Sequence, residues 1–279
     1  MRFGILVPNF GDCCGSAKEL AKLAVEAENS GWDGFFLFDQ MLFSIDGSAP
    51  LVDPWIALTA IALKTERIRI GTLVTPIARR RPWKLARETV SLDHLSEGRL
   101  TLGVGLGDPP EAEFAHFGEN GENRVRARKL DEGLDILVGL WRGEEFDYEG
   151  EYFKVHGVQF LPRSFQSPRI PIWVAGRWPR LRPFLRAARW DGVFPLGLSI
   201  GSKLNPEELR NVVNFVRNHR TDTSPYDVVA TSGADGRVEK AELSAYAAVG
   251  VTWWMEDMRK WRNSRDDLRI QITKGPPRV

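Results

Sequence analysis

The sequence predicts a closed (β/α)8 barrel, a TIM barrel, as one domain over residues 1–279. Three observations point there. Eight apolar runs of strand length recur along the chain, each followed by a segment of helical spacing, and no low-complexity linker divides them. The runs are near-continuous rather than alternating, as in parallel strands buried on both faces. No GxGxxG follows the first run, which speaks against an open dinucleotide-binding sheet.

Arg2–Val7 is the first strand and opens onto a polar loop at Asn9–Gly15. Ser16 and Glu19 read as a capping box heading a helix through Ser30, with Leu20, Leu23, Ala24 and Ala27 on one face and Gly31 ending it. Gly34–Phe38 is the second strand, four of its residues being Phe35, Phe36, Leu37 and Phe38. Asp53–Pro54 reads as an N-cap followed by proline at the first helical position, launching a helix to about Lys64. Ile68–Val74 and Leu100–Val104 are the third and fourth strands, with Pro82 starting and Gly98 closing the helix between them. Arg124–Trp141 is the next helix, burying Leu130, Leu134 and Leu137. Phe146, Tyr148, Tyr152, Phe153 and Val155 around Glu149–Gly150 form a hairpin-like insertion at about 144–160. Ile172–Ala175 and Gly192–Leu196 follow as strands around a short helix from about Pro179 to Arg189. Asn205–Pro206–Glu207–Glu208 caps a helix to about His219. Asp227–Thr231, a helix near Arg237–Val249 and Val251–Glu256 complete the series, and the Pro-rich tail 275–279 is expected to fray.

Composition narrows the function. With 43% hydrophobic content the chain can bury one large core. Net charge of +1 and a pI near 7.8 argue against a nucleic-acid or membrane-surface role built on bulk charge. Arg79–Arg80–Arg81, the one basic run, reads as a solvated loop. No apolar run reaches spanning length and the N-terminus lacks a signal-peptide layout. The two cysteines, Cys13 and Cys14, are adjacent, which suits neither a disulfide framework nor a metal site, and a reducing cytoplasm is expected.

In a barrel the functional residues lie just past the strands. Those tips carry Asn9, Asp39–Gln40–Met41, Thr72–Pro76, Gly105–Leu106–Gly107–Asp108, Gly176–Arg177–Trp178 and Leu196–Gly197, with Trp253 and Glu256 in or after the last strand. None of the four histidines directly follows a strand, so a metal-dependent hydrolase, needing convergent His and carboxylate ligands, is disfavoured and no metal is expected. No GxSxG nucleophile elbow is present. What remains suits a flat conjugated ring held by backbone and apolar walls. Gly105–Gly107 and Gly176–Trp178 together read as a phosphate cradle with Arg177 as counter-charge; the plainer alternative is tight turns and a solvated arginine. Phe10, Met41, Phe43 and Trp178 suggest an apolar pocket, Trp253 either pocket or core.

The chain resembles the luciferase-like monooxygenase family, which includes flavin enzymes and deazaflavin-dependent dehydrogenases and reductases. The resemblance is carried by IRIGTLVTPIARRRPWKLARETVSLDHLSEGRLTLGVGLG, SGWDGFFLFDQM and LDEGLDILVGLWRGEEFDYEGEYF. It implies an oxidoreductase or monooxygenase with FMN or coenzyme F-420 as cofactor, acting on a small organic substrate. It also implies a homodimer and, with FMN, a separate flavin reductase. Ring contacts are implied at Thr72, Leu73, Val74 and Thr75, with a non-proline cis peptide at Leu73–Val74. Phosphate contacts are implied at Gly105, Leu106, Gly107, Gly176, Arg177 and Trp178; Leu106 stands where some members have arginine. Many members carry Asp-His after the second strand, whereas this chain has Asp39–Gln40. Glutamine cannot move a proton near neutral pH, so acid/base work passes to Asp39, Asp108 or Glu113. Partial burial is expected to raise the pKa of Asp39; an ion pair with an arginine is the other reading. The lost histidine leans toward hydride transfer. A non-catalytic flavin or small-molecule binding barrel is the alternative function.

Overall fold

The computed structural model describes residues 1–11, 14–43, 49–234, 240–261 and 264–277. In chain order these form β1 (Arg2–Val7), α1 (Ala17–Asn29), β2 (Gly34–Leu37), α2 (Pro54–Ala62), β3 (Arg69–Pro76), α3 (Pro82–Leu95) and β4 (Leu100–Gly105). There follow α4 (Pro110–Glu113), α5 (Asn123–Trp141), β5 (Glu145–Glu149), β6 (Lys154–Gln159), β7 (Ile172–Arg177), α6 (Leu181–Ala187) and β8 (Gly192–Leu196). Then come α7 (Pro206–His219), β9 (Asp227–Thr231), α8 (Lys240–Ala248), β10 (Trp253–Asp257) and α9 (Arg265–Thr273). Eight parallel strands close in the order β1-β10-β9-β8-β7-β4-β3-β2, while β5 and β6 pair as the separate antiparallel hairpin. The TIM barrel expected from the strand repeat is therefore the fold. None of the described helices is long and apolar enough to cross a membrane.

Strand side chains alternate direction, so each buried strand feeds two cores. Outward residues such as Ile5, Phe35, Ile70 and Val174 pack under the helices. Inward residues Leu6, Phe36, Leu73, Trp173, Phe194, Val229, Trp253 and Met255 fill the barrel. Its base is a three-ring plug: Trp173 lies 5.3 Å from Phe36 and 5.4 Å from Trp253, ring centre to ring centre. The strands make room with small residues; a Cβ on Gly192 would sit 2.5 Å from the Trp173 ring. Trp253, read as pocket or core, is core.

Asp53 caps α2 by accepting from the N–H groups of Trp55 and Ile56, and Asn205 with Glu208 completes a capping box on α7. The box expected at Ser16 is not formed. Ser16 makes no side-chain cap bond, and Glu19 instead accepts from Lys22 at 2.9 Å. The hairpin is tied to α5 by Glu132, whose carboxylate accepts the N–H groups of Glu151, Tyr152 and Phe153. The helix expected near 237–249 is described from Lys240 onward, and Cys13 lies outside the described residues. The sequence reading assigned no explicit boundaries to α9, which buries Leu268 and Ile272 and packs beside α1. Of the tail expected to fray, Gly275 to Pro277 are partly buried and 278–279 lie outside the described residues.

Candidate active site

β3 does not run straight into its loop. The Leu73–Val74 peptide is cis, as the family resemblance implied, and the β3–β4 register shifts between Thr72 and Thr75. The shift throws Leu73 and Val74 toward the barrel mouth and turns both threonines away from it. Bare backbone on β4 receives this distortion. A Cβ at Gly103 would lie 2.2 Å from the Thr72 carbonyl oxygen, and one at Gly105 would lie 2.7 Å from Val74 Cγ2.

Above the plug a cavity of about 1240 Å³ opens at the carboxyl ends of the strands. That exceeds the usual span for a single small ligand, leaving room for a cofactor and a substrate together. Phe10, Phe38, Leu73, Val74 and Phe194 give it one apolar side. Phe10 stacks on Phe43 with centroids 4.0 Å apart. Of the residues expected to contact a cofactor, Leu73, Val74, Gly105, Leu106, Gly107, Gly176 and Arg177 line this cavity, as do Asp39, Gln40, Asp108 and Glu113. Thr72 and Thr75 do not; they are buried behind it, their hydroxyls 2.9 Å apart. Trp178 does not either. Its ring packs outward on Phe184 and Phe215, because the tip after β7 bends away toward α6. Met41 is 45% exposed outside the wall.

Asp39 is the most heavily bonded group at the mouth. Its Oδ1 accepts from Arg79 at 2.7 Å and Arg80 at 2.9 Å, and its Oδ2 accepts from Thr75 at 2.8 Å and Trp55 at 3.2 Å. One sequence expectation fails here, and of the two readings of Asp39 the ion pair with arginine holds and the raised pKa does not. Arg79 and Arg80 are not solvated: their side chains are 6% and 17% exposed, because a 3-10 turn at Ile77–Arg79 folds them back under the loop. And although burial alone would push the Asp39 carboxyl up, the two guanidinium groups outweigh it and hold the pKa below its ordinary value. Asp39 is thus a fixed anion with its lone pairs engaged, which suits positioning better than proton transfer.

Glu113 behaves oppositely. Burial dominates and raises its pKa, even though Oε2 accepts from Arg79 at 2.8 Å and Oε1 from the Met41 N–H at 3.2 Å. It is the carboxyl on the wall best suited to hold a proton. Beside it, the buried Gln40 Oε1 finds no hydrogen-bond partner among the described residues. An unpaired buried acceptor on a cavity wall marks a place for a ligand donor.

The tips after β4 and β7 are neighbours, since Leu102–Val104 pair with Ile172–Val174. Arg177 reaches from one tip to the other and donates to Asp108 at 2.6 Å, and also to the carbonyls of Gly197, Leu198 and Ser199. The counter-charge expected of Arg177 is therefore already engaged by Asp108. Sequence reasoning missed the cation that serves this tip: Arg126 of α5 donates to the carbonyls of Leu106 and Gly107 at 3.0 and 2.6 Å. A search restricted to residues just past each strand passes over a helix that folds back onto the loop. The sequence reading also missed Asp257, the last residue of β10, and Arg259 just beyond it, which pair at 2.6 Å on the cavity wall.

Fold and site together define a barrel whose sealed base and apolar, glycine-flanked mouth suit a ring-bearing ligand. The chain matches the luciferase-like monooxygenase model over residues 1–269 and belongs to that family. Among curated proteins it is 35% identical over 164 residues to an F420-dependent glucose-6-phosphate dehydrogenase of Kineococcus radiotolerans, covering 58% of this chain and 47% of that one. It is 31% identical over 192 residues to the protein y4wF of Sinorhizobium fredii, covering 68% and 53% respectively. The chain thus spans about half the length of the curated relatives it matches. Among solved structures, the coenzyme F420-dependent tetrahydromethanopterin reductase of Methanopyrus kandleri superposes with a TM-score of 0.76 at 17% identity, covering 98% of both chains. The monooxygenase RslO1 of Streptomyces bottropensis gives 0.67 at 24% identity, covering 99% of this chain and 90% of that one. At such identities these structures speak to the fold.

Proposed function

We propose that this chain is a flavin- or deazaflavin-dependent oxidoreductase acting on a small organic substrate. The observation that carries the reading is the apolar cavity wall of Phe10, Phe38, Leu73, Val74 and Phe194, which shares one mouth with the unpaired Gln40 acceptor and the glycine-bearing tips after β4 and β7. A flavin or deazaflavin ring fits these residues. Leu73 and Val74 would hold it on their apolar side, Gln40 would offer it an acceptor, and the backbone of the tips at Gly105–Gly107 and Gly176–Arg177 would hold the phosphate of its side chain. Bound there, the ring supplies hydride transfer or, for FMN, oxygen chemistry. Asp39 fixes the Arg79–Arg80 framework on which Glu113 sits, and Glu113 holds or releases the proton that accompanies hydride movement. Asp108 and Arg177 brace the two tips against each other. The F420-dependent relatives support deazaflavin hydride transfer, while the family model itself admits oxygenation as well.

Fluorescence titration of the purified protein with FMN and with F-420 tests this. One of the two is expected to bind stoichiometrically and to turn over with a substrate panel. Binding with no turnover across that panel supports the non-catalytic barrel instead, and failure to bind either overturns the reading.

A homodimer is part of the proposal. Ile56 on α2 and Leu63 capping its end are 63% and 65% exposed and Trp83 on the adjoining α3 is 40% exposed, an apolar strip that pairing would cover. Sedimentation of the wild type is expected to show a dimer and Ile56→Glu a monomer.

A further inference from the structure

We infer that the cavity has a second, cationic subsite, between the first turns of α5 and α6, which binds anionic groups on the cofactor tail beyond its first phosphate. The inference rests on the ring-binding reading above and narrows it to a cofactor with a long, multiply charged tail.

Half of the eight arginines on the cavity wall are neutralised. Arg128 pairs with Glu151, Arg177 with Asp108, Arg186 with Asp131 and Arg259 with Asp257. Four others have no carboxylate in ion-pair contact among the described residues: Arg124 and Arg126 in the first turn of α5, and Arg180 and Arg182 at the head of α6. They adjoin the phosphate tips directly. Arg126 bonds the tip after β4, and Arg180 follows Arg177 by three residues. The Arg186–Asp131 pair, with Nη2 to Oδ2 at 2.8 Å, holds the two helices side by side. All four cations therefore line the same cavity as the phosphate tips, on two helices held together by that pair.

Two further observations point to a ligand. Arg126 is 3% exposed, yet its Nε has no hydrogen-bond partner. Asp108, Glu111 and Glu113 act on it only through space. A buried guanidinium that satisfies itself mainly on carbonyls is costly without an anion. The 19-residue α5 also starts at Glu122 with no side-chain cap, leaving first-turn N–H groups for an acceptor. One phosphate cannot meet four cations spread over two helix heads. A phosphodiester continuing into carboxylates does, whereas FMN ends at its single phosphate.

The test uses fluorescence titration with three probes, each at low and high salt: F-420, its tail-less form ending at the first phosphate, and FMN. F-420 is expected to bind at least about tenfold more tightly than the tail-less form. That advantage should shrink with salt, because it is electrostatic. The exposed double variant Arg180→Gln/Arg182→Gln should lose most of the advantage while binding the tail-less form unchanged, which also verifies its fold. Equal affinity for F-420 and the tail-less form overturns this inference and leaves the ring-binding reading standing. A double variant that loses substrate affinity but keeps the F-420 advantage also overturns it, assigning the arginines to an anionic substrate. Failure of all three probes to bind removes both.

Discussion

The Asp39 carboxylate shows how a single residue can hold a mouth together without doing chemistry. Asp39→Asn leaves Arg79 and Arg80 buried with half their compensation and is expected to cost about 3–5 kcal/mol, measured by urea unfolding. The sign of its pH dependence follows from its depressed pKa. The stability Asp39 contributes is present above the ordinary carboxylate value, near pH 4, and is lost as pH falls through its lower folded value. Wild type and Asp39→Asn should therefore converge in stability on acidification. Glu113 runs the other way, because its folded pKa is raised: its contribution is intact below the ordinary value and lost as pH rises through the folded one. Glu113→Gln should retain cofactor binding, slow turnover by about 10²–10⁴-fold and remove one limb of the pH–rate profile. These roles were only half legible. The sequence marked Asp39 and Glu113 as candidates, but which of them keeps a proton depends on Arg79, whose contact with Asp39 spans 40 residues. A triple arginine run looks solvated until the turn after β3 brings it home.

At the scale of elements, β3 and β4 are shaped as a pair. Gly105→Ala drives a methyl into Val74, and overpacking of this kind costs about 1–3 kcal/mol. Val74→Ala clears that space, so the Val74→Ala/Gly105→Ala double variant should melt higher than additivity of the two single changes allows. Calorimetry of the four proteins checks it. The bulge was not legible in the residues themselves, which marked only an apolar run ending in Thr72–Pro76 opposite a run ending in three spaced glycines; the family resemblance implied it. Helix starts were legible where side chain and backbone agree, as at Asp53 and Asn205. At Ser16 the same spacing misled, since Lys22 one turn on offers Glu19 a stronger partner than an N–H. The α5–α6 arginines were not legible, because nothing in a sequence says that two helix heads will share a cavity wall.

The whole molecule was the most legible level. Eight strand–helix repeats leave few ways to bury continuous apolar strands, and closure into a barrel is the one that removes both sheet edges. What counts of strands do not reveal is how the inside is filled. Trp173→Ala opens the base of the barrel and is expected to cost about 3–5 kcal/mol by urea unfolding, with cofactor affinity barely changed because the ring floor lies a layer above.

That plug also dictates traffic. With the bottom stoppered by indoles, the cavity opens at the carboxyl ends of the strands, so a ring held on Leu73 and Val74 would lie beneath whatever enters after it. Initial-rate kinetics should then follow a compulsory sequence, cofactor on first and off last, in which the departing product is a mixed inhibitor against the substrate and only the outgoing cofactor form competes with the incoming one.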